Sequence, residues 1–99
     1  MKVLALAGAK RGVRASAVLP GVVETDMARE VRRAPGEAPL PEAEVARRRE
    51  SQLAGLRALH PLGRLGAPED VGEAVRYLLG ASWLTGAELV LDGGLLLRE

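Results

Sequence analysis

Two apolar segments, residues 13–19 (VRASAVL) and 87–91 (AELVL), constrain the fold of this chain more than any other feature. The first alternates at Val13, Ala15 and Ala17, then runs apolar into Pro20-Gly21. The second stops at Asp92-Gly93-Gly94. Both read as short strands ended by turn residues. Residues 20–86 lie between them, too long for a hairpin and largely helical in pattern. Strands joined through helices pair in parallel, by a right-handed crossover. Nearly continuous apolar strands belong to a sheet covered on both faces. Two parallel strands alone make a marginal sheet, and a bare strand edge needs a cover. The expectation is an α/β chain in which residues 1–99 form a single partial domain of a wider parallel sheet.

Residues 68–79 carry the clearest helix. Pro68 suits a first helical position, with Glu69 and Asp70 in the first turn. Val71, Ala74, Val75, Leu78 and Leu79 then repeat at helical spacing, and Gly80 closes the pattern. Residues 42–58 predict a second helix, with Glu42 and Glu44 leading and Arg47, Arg48, Arg49 and Arg57 following, an order that suits the helix dipole. Its apolar face is thin (Val45, Leu53, Leu56, Leu59), so it is expected to be partly exposed. A short helix over 26–33 follows the cap residues Thr25 and Asp26 and ends before Pro35. Residues 1–9 suit either a helix end or a strand, with Gly12 a helix-terminating glycine. Residues 34–41 form a loop, 60–67 a turn-rich connector and 81–86 a turn.

Composition removes several function classes. Lys+Arg is 14 against Asp+Glu 13, a net charge of +1, without the basic excess that phosphate neutralisation on nucleic acid requires. Cysteine is absent, which excludes disulfides and thiolate chemistry, and His60 is the single histidine. No metal site is expected. No apolar run approaches the roughly 20 residues that span a bilayer, and the first residues lack a signal-peptide layout. A cytoplasmic protein without a nucleic-acid or membrane partner is expected. Aromatic residues are 2% and apolar residues 47%, so Leu, Val and Ala must build the core.

Five fragments in order resemble the C-terminal portion of the short-chain dehydrogenases/reductases. Gly12-Val13-Arg14-Ala15-Ser16-Ala17-Val18 resembles that family's G-I-R-V-N-x-V strand, with Ser16 where Asn is usual. Pro20-Gly21-Val22-Val23-Glu24-Thr25-Asp26-Met27 resembles its P-G-x-x-x-T-x-M segment. Pro61-Leu62-Gly63-Arg64-Leu65-Gly66-Ala67-Pro68-Glu69-Asp70-Val71 resembles its P-x-x-R-x-G-x-P-E-D-V turn and helix start. Ser82-Trp83-Leu84-Thr85-Gly86 and Val90-Leu91-Asp92-Gly93-Gly94 resemble its closing S-x-I-T-G and V-D-G-G. The resemblance implies a fragment of a Rossmann-like doubly wound parallel sheet. It also implies hydride transfer between NAD or NADP and a carbonyl or alcohol substrate, a lid-like segment over about 24–60, and homo-oligomers formed through helix 68–79 and strand 87–91.

By the same resemblance, Pro20, Gly21, Val22, Val23 and Thr25 are the cofactor-binding residues. Backbone groups near Val23 would bond the nicotinamide carboxamide, and the Thr25 hydroxyl would bond the carboxamide or a phosphate. A simpler reading stands beside this one: Pro20-Gly21 as a plain turn and Thr25 as a plain helix cap. No catalytic residue is assigned. The family's glycine-rich loop and Tyr-x-x-x-Lys pair with its partner Ser have no counterpart in residues 1–99. Tyr77 lies in the apolar repeat of helix 68–79 and has no lysine four positions on. The chain is therefore expected to be inactive alone, with a retained interaction module as the alternative role. Three further features favour bland readings: Asp92-Gly93-Gly94 as a strand terminus, Arg47-Arg48-Arg49 as a solvated helix face, and His60 as a turn residue.

Overall fold

A computed structural model describes residues 1–31 and 35–97. The elements are α1 (Lys2–Ala9), β1 (Ala17–Pro20), α2 (Asp26–Arg29), α3 (Glu42–Leu59), α4 (Pro68–Gly80), β2 (Glu88–Leu91) and a closing 3-10 turn, Leu95–Leu97. β1 and β2 pair in parallel, with Ala17 opposite Glu88 and Pro20 opposite Leu91.

The open question at residues 1–9 resolves to a helix, as the strong helix formers Ala and Leu favour. Gly12 takes φ +72°, and the Val13 N–H returns to the Gly8 carbonyl at 2.9 Å. Gly8 permits that return, because a Cβ there would stand 2.8 Å from the Val13 oxygen.

β1 starts at Ala17, not at residue 13. The alternation of Val13, Ala15 and Ala17 mimics a longer strand, but residues 13–16 pair irregularly. The Ala15 N–H donates to the Thr85 Oγ1 at 3.1 Å, and the Ala87 N–H donates to the Ser16 Oγ at 3.2 Å. Arg14 reaches the C-terminus of α4 instead, donating to the carbonyls of Leu78 (2.8 Å), Leu79 (2.8 Å), Ala81 (3.0 Å) and Leu84 (3.3 Å). Leu78 and Leu79 are acceptors that the helix end leaves without intrahelical partners.

α2 is also shorter than the expected 26–33, ending at Arg29 with Glu30 extended. Residues 32 and 33 of that expectation, and residue 34 of the expected loop, lie outside the described residues. No α2 side chain is buried, so no packing rewards a further turn. Its carbonyls are taken from outside: Gln52 of α3 donates to Ala28 (3.2 Å) and Glu30 (2.7 Å), and Arg49 donates to Arg29 (3.2 Å).

The core is thin. Among the described residues only Ala5, Leu53, Leu65 and Ala74 are buried apolar side chains, with His60 the one buried polar residue. The radius of gyration is 18.4 Å, where a compact domain of this length has about 13 Å. The accessible surface is 7631 Å², against about 5,400 Å² for a compact monomer of the same mass. The apolar repeat of α4 divides accordingly. Val71, Ala74 and Leu78 turn inward, whereas Val75 and Leu79, expected to join them, stay exposed beside Tyr77 and Trp83. That excess is the bare flank that an isolated piece of a wider sheet would present.

Candidate functional site

The five predicted cofactor residues fall on one segment at the C-terminal end of β1, where open parallel sheets hold their ligands. Pro20 is the last residue of the strand, and the Gly21 N–H donates to the Leu91 carbonyl at 3.0 Å. The backbones crowd here. A Cβ on Gly21 would lie 2.9 Å from Asp92 Cβ, 3.0 Å from Asp92 Cα and 3.2 Å from His60 Nε2.

Val23 then forms a single parallel bridge with Gly66. The Gly66 N–H donates to the Val22 carbonyl at 3.0 Å, and the Glu24 N–H donates to the Gly66 carbonyl at 2.7 Å. In a parallel bridge of this pattern the flanked residue turns its own N–H and C=O the other way. The Val23 peptide groups therefore face away from Gly66, and no hydrogen bond among the described residues takes them. Thr25 occupies the N-cap position of α2, and its carbonyl accepts from the Arg29 N–H at 3.1 Å. Its hydroxyl makes no capping bond, so the plain-cap reading holds for its backbone alone.

Two hollows flank the segment. A groove of about 490 Å³ lies between it and the α2–α3 side, with Gly21, Val22, Val23 and Thr25 on one wall and Gln52 and Leu56 on the other. A smaller cleft of about 320 Å³ opens on the side of Arg64, Asp70 and Leu91. Pro20 borders neither hollow. The groove, the Val23 peptide groups and the uncapped Thr25 hydroxyl suit the amide of a nicotinamide, which needs one acceptor and one donor.

Sequence reasoning left three residues without their roles. His60 is 3% exposed and follows the last residue of α3. Its Nδ1 lies 2.7 Å from the Leu56 carbonyl, and its Nε2 lies 3.5 Å from the Val22 amide nitrogen. Its place as the only histidine, between a helix end and a proline, is the one signal that pointed there. Arg64 donates to both oxygens of Asp70, at 2.9 and 3.4 Å. Asp70 Oδ2 accepts the Ala67 N–H at 2.7 Å, capping α4. The Arg64 hydrogen bond first, and the Ala67 amide second, hold the Asp70 carboxyl below the usual carboxylate range. The same pair pushes the Arg64 guanidinium up. The R-x-G-x-P-E-D stretch is thus a cap that fixes Gly66 against Val23.

Other stretches serve the fold. The Asp92 oxygens accept from the Gly94 (3.0 Å) and Leu96 (3.1 Å) N–H groups, so this carboxylate ends the strand. Arg47 pairs with Glu44, and Arg48 pairs with Glu37 at 2.7 Å. Among the described residues no group of three or more candidate metal ligands gathers, and no helix is long and apolar enough to cross a membrane.

A family model described as enoyl-(acyl carrier protein) reductase matches residues 1–96. An uncharacterized short-chain type dehydrogenase/reductase of Sinorhizobium fredii is 38% identical over 95 residues, covering 94% of this chain and 15% of that protein. Carbonyl reductase family member 4 of Xenopus laevis is 35% identical over 97 residues, covering 98% of this chain and 33% of that protein. The ligand-free aldohexose dehydrogenase of Thermoplasma acidophilum superposes with a TM-score of 0.77 at 33% identity, over 99% of this chain and 36% of that one. The chain belongs to the short-chain dehydrogenase/reductase family. It spans about a third or less of the relatives it matches, and its two strands with their helices are a portion of that family's Rossmann-type sheet.

Proposed function

We propose that this chain forms the nicotinamide-side wall of a cytoplasmic, NAD- or NADP-dependent oxidoreductase acting on a carbonyl or alcohol carbon. The observation that carries this reading is the pair of Val23 peptide groups, which find no partner among the described residues, at the C-terminal end of a parallel strand. The cofactor, when bound, supplies or accepts the hydride. The chain's own residues bind and orient. The Val23 N–H and C=O hold the carboxamide, and the Thr25 hydroxyl adds a bond to the carboxamide or a phosphate. Gly21 lets the strand end approach Asp92 and His60 closely enough to set that wall. This is positioning work. No proton-transferring residue is assigned to residues 1–99.

Two measurements test the reading. The chain alone, with NADH or NADPH and a panel of ketones, is expected to give no turnover above a buffer blank. Mixed with a polypeptide carrying the family's glycine-rich loop and Tyr-x-x-x-Lys segment, it is expected to bind dinucleotide and shift the Val23 amide resonance. Turnover by the chain alone, or no binding on mixing, refutes it.

The bare flank of α4 favours a second role beside the first, in self-association through α4 and β2. Tyr77, Leu79 and Trp83 are 65%, 73% and 99% exposed. Sedimentation is expected to show a dimer or larger; a well-folded monomer at micromolar concentration counts against it.

A further inference from the structure

We propose that His60 is a positioning residue, whose ring ties the two walls of the groove together by bridging the Leu56 carbonyl and the Val22 amide. The inference rests on the preceding reading for the cofactor, and on the structure alone for the geometry. Leu56 lines the α3 wall of the groove and Val22 the strand-end wall. His60 lies behind both, with Nδ1 at 2.7 Å from one and Nε2 at 3.5 Å from the other.

The partners assign the tautomer. A carbonyl only accepts, so Nδ1 must carry the hydrogen that bonds Leu56. Neutral imidazole then presents a lone pair at Nε2, facing the Val22 N–H. Val23 is the next residue, and its bridge to Gly66 fixes which way its own peptide groups point. The ring therefore sets the spacing between α3 and the segment that carries the Val23 donor and acceptor.

Protonation would reverse the contact at Nε2. A second N–H would face the Val22 N–H, within a site 3% exposed. From the end of β2 the charged neighbour is Asp92, whose oxygens already accept from Gly94 and Leu96. On the ring's own helix it is Arg57, paired with Glu50 at 3.2 Å. The Gly21-Val22 turn and Gly93 carry no charge. An imidazolium here would push the strand end away from α3 and re-aim Val23.

The test is nuclear magnetic resonance on the 15N-labelled full chain. At pH 8 the long-range imidazole spectrum is expected to show hydrogen on Nδ1 and none on Nε2. On acidification, any change at the ring nitrogens is expected to be accompanied by the Val22, Val23 and Gly66 amides, in one transition. His60→Gln, which keeps a neutral acceptor toward Val22, is expected to lose that transition. The Nε2–H tautomer, amides that stay flat while the ring titrates, or a transition that survives in His60→Gln each overturn the proposal. So does a wild-type spectrum without dispersed amides. The wild-type titration needs no variant and decides by itself if His60→Gln does not fold. None of these readouts uses dinucleotide. A failure of cofactor binding with the ring–amide coupling intact defeats the proposed function alone. Flat amides with binding retained defeat this inference alone.

Discussion

The strand ends and the outer flank of this molecule are built to opposite rules. At the strand ends, Gly21, His60, Gly66 and Asp92 come from four separate stretches and meet at backbone distances. On the flank, Val3, Leu4 and Leu6 of α1 and Tyr77, Leu79 and Trp83 near α4 stand mostly in solvent. The first region is held by contacts within this chain, and the second leaves large apolar side chains exposed. The difference separates what the chain fixes locally, the shape of the proposed ligand wall, from what needs added mass, its core.

Gly21→Ala attacks the crowded region and has the largest expected effect. Its Cβ would meet backbone of Asp92 at 3.0 Å and the Asp92 Cβ at 2.9 Å, neither of which is the far end of a flexible side chain. Overpacking of this kind costs about 1–3 kcal/mol. Denaturant unfolding should show a lower midpoint with an unchanged slope. An unaltered midpoint would mean the strand ends are looser than their distances imply.

Arg14→Ala tests the link between the two regions and comes next. It frees the Leu78 and Leu79 carbonyls at the end of α4 and removes bonds to Ala81 and Leu84 in the turn beyond, a loss of about 1–2 kcal/mol. Hydrogen exchange at the Ala81 amide, which bonds the Tyr77 carbonyl at 3.0 Å, should accelerate. Arg14→Lys should recover only part, because an ammonium lacks the planar fork that serves several carbonyls. Gly72→Ala probes the open side of the same helix and should act in the opposite direction. Nothing lies within 4 Å of a Cβ at Gly72. Replacing a mid-helix glycine there should stabilise by roughly 0.5–1 kcal/mol. A destabilised Gly72→Ala would show that the flank is covered in solution.

The same division explains what could be read from the residues. Pro68-Glu69-Asp70 announces the start of α4 because a cap is local chemistry, and both strands stop at their turn residues for the same reason. The first strand begins later than its alternation suggests, because Arg14 answers to carbonyls more than sixty positions away. α2 falls short because its length depends on packing it never receives. His60 reads as a turn residue until Val22, 38 positions away, is brought to the nitrogen opposite the one that bonds Leu56. The exposed half of the α4 stripe is unreadable for another reason: helical spacing is identical whether the face meets the chain's own core or another body. The proposed cofactor role of Pro20 to Thr25 comes from the family resemblance alone, since a Pro-Gly break says turn and nothing more.

The cap of α4 gives the smallest expected effect and the finest comparison, because it is exposed yet feeds the crowded region. Its carboxyl titrates lower in the folded chain than in the unfolded one, so the unfolded chain binds the proton more readily. The cap's contribution is thus present above the unfolded value, about pH 4, and is lost as pH falls through the folded value. Acidification should loosen the first turn of α4, read as faster exchange at Ala67, whose N–H reaches Asp70 at 2.7 Å. Asp70→Asn should lack this acid step. Arg64→Ala should move it to higher pH, toward the ordinary carboxylate, because the largest cause of the depression is gone. High salt should weaken the Arg64 contribution and leave the Ala67 one, since screening acts on the exposed charge pair. Gly66 directly precedes this cap and bridges Val23. An acid step that stops at Ala67 would show that the Val22–Val23 segment is insulated from the helix end. One that continues to the Gly66 amide would show that this segment is only as firm as a solvent-exposed ion pair.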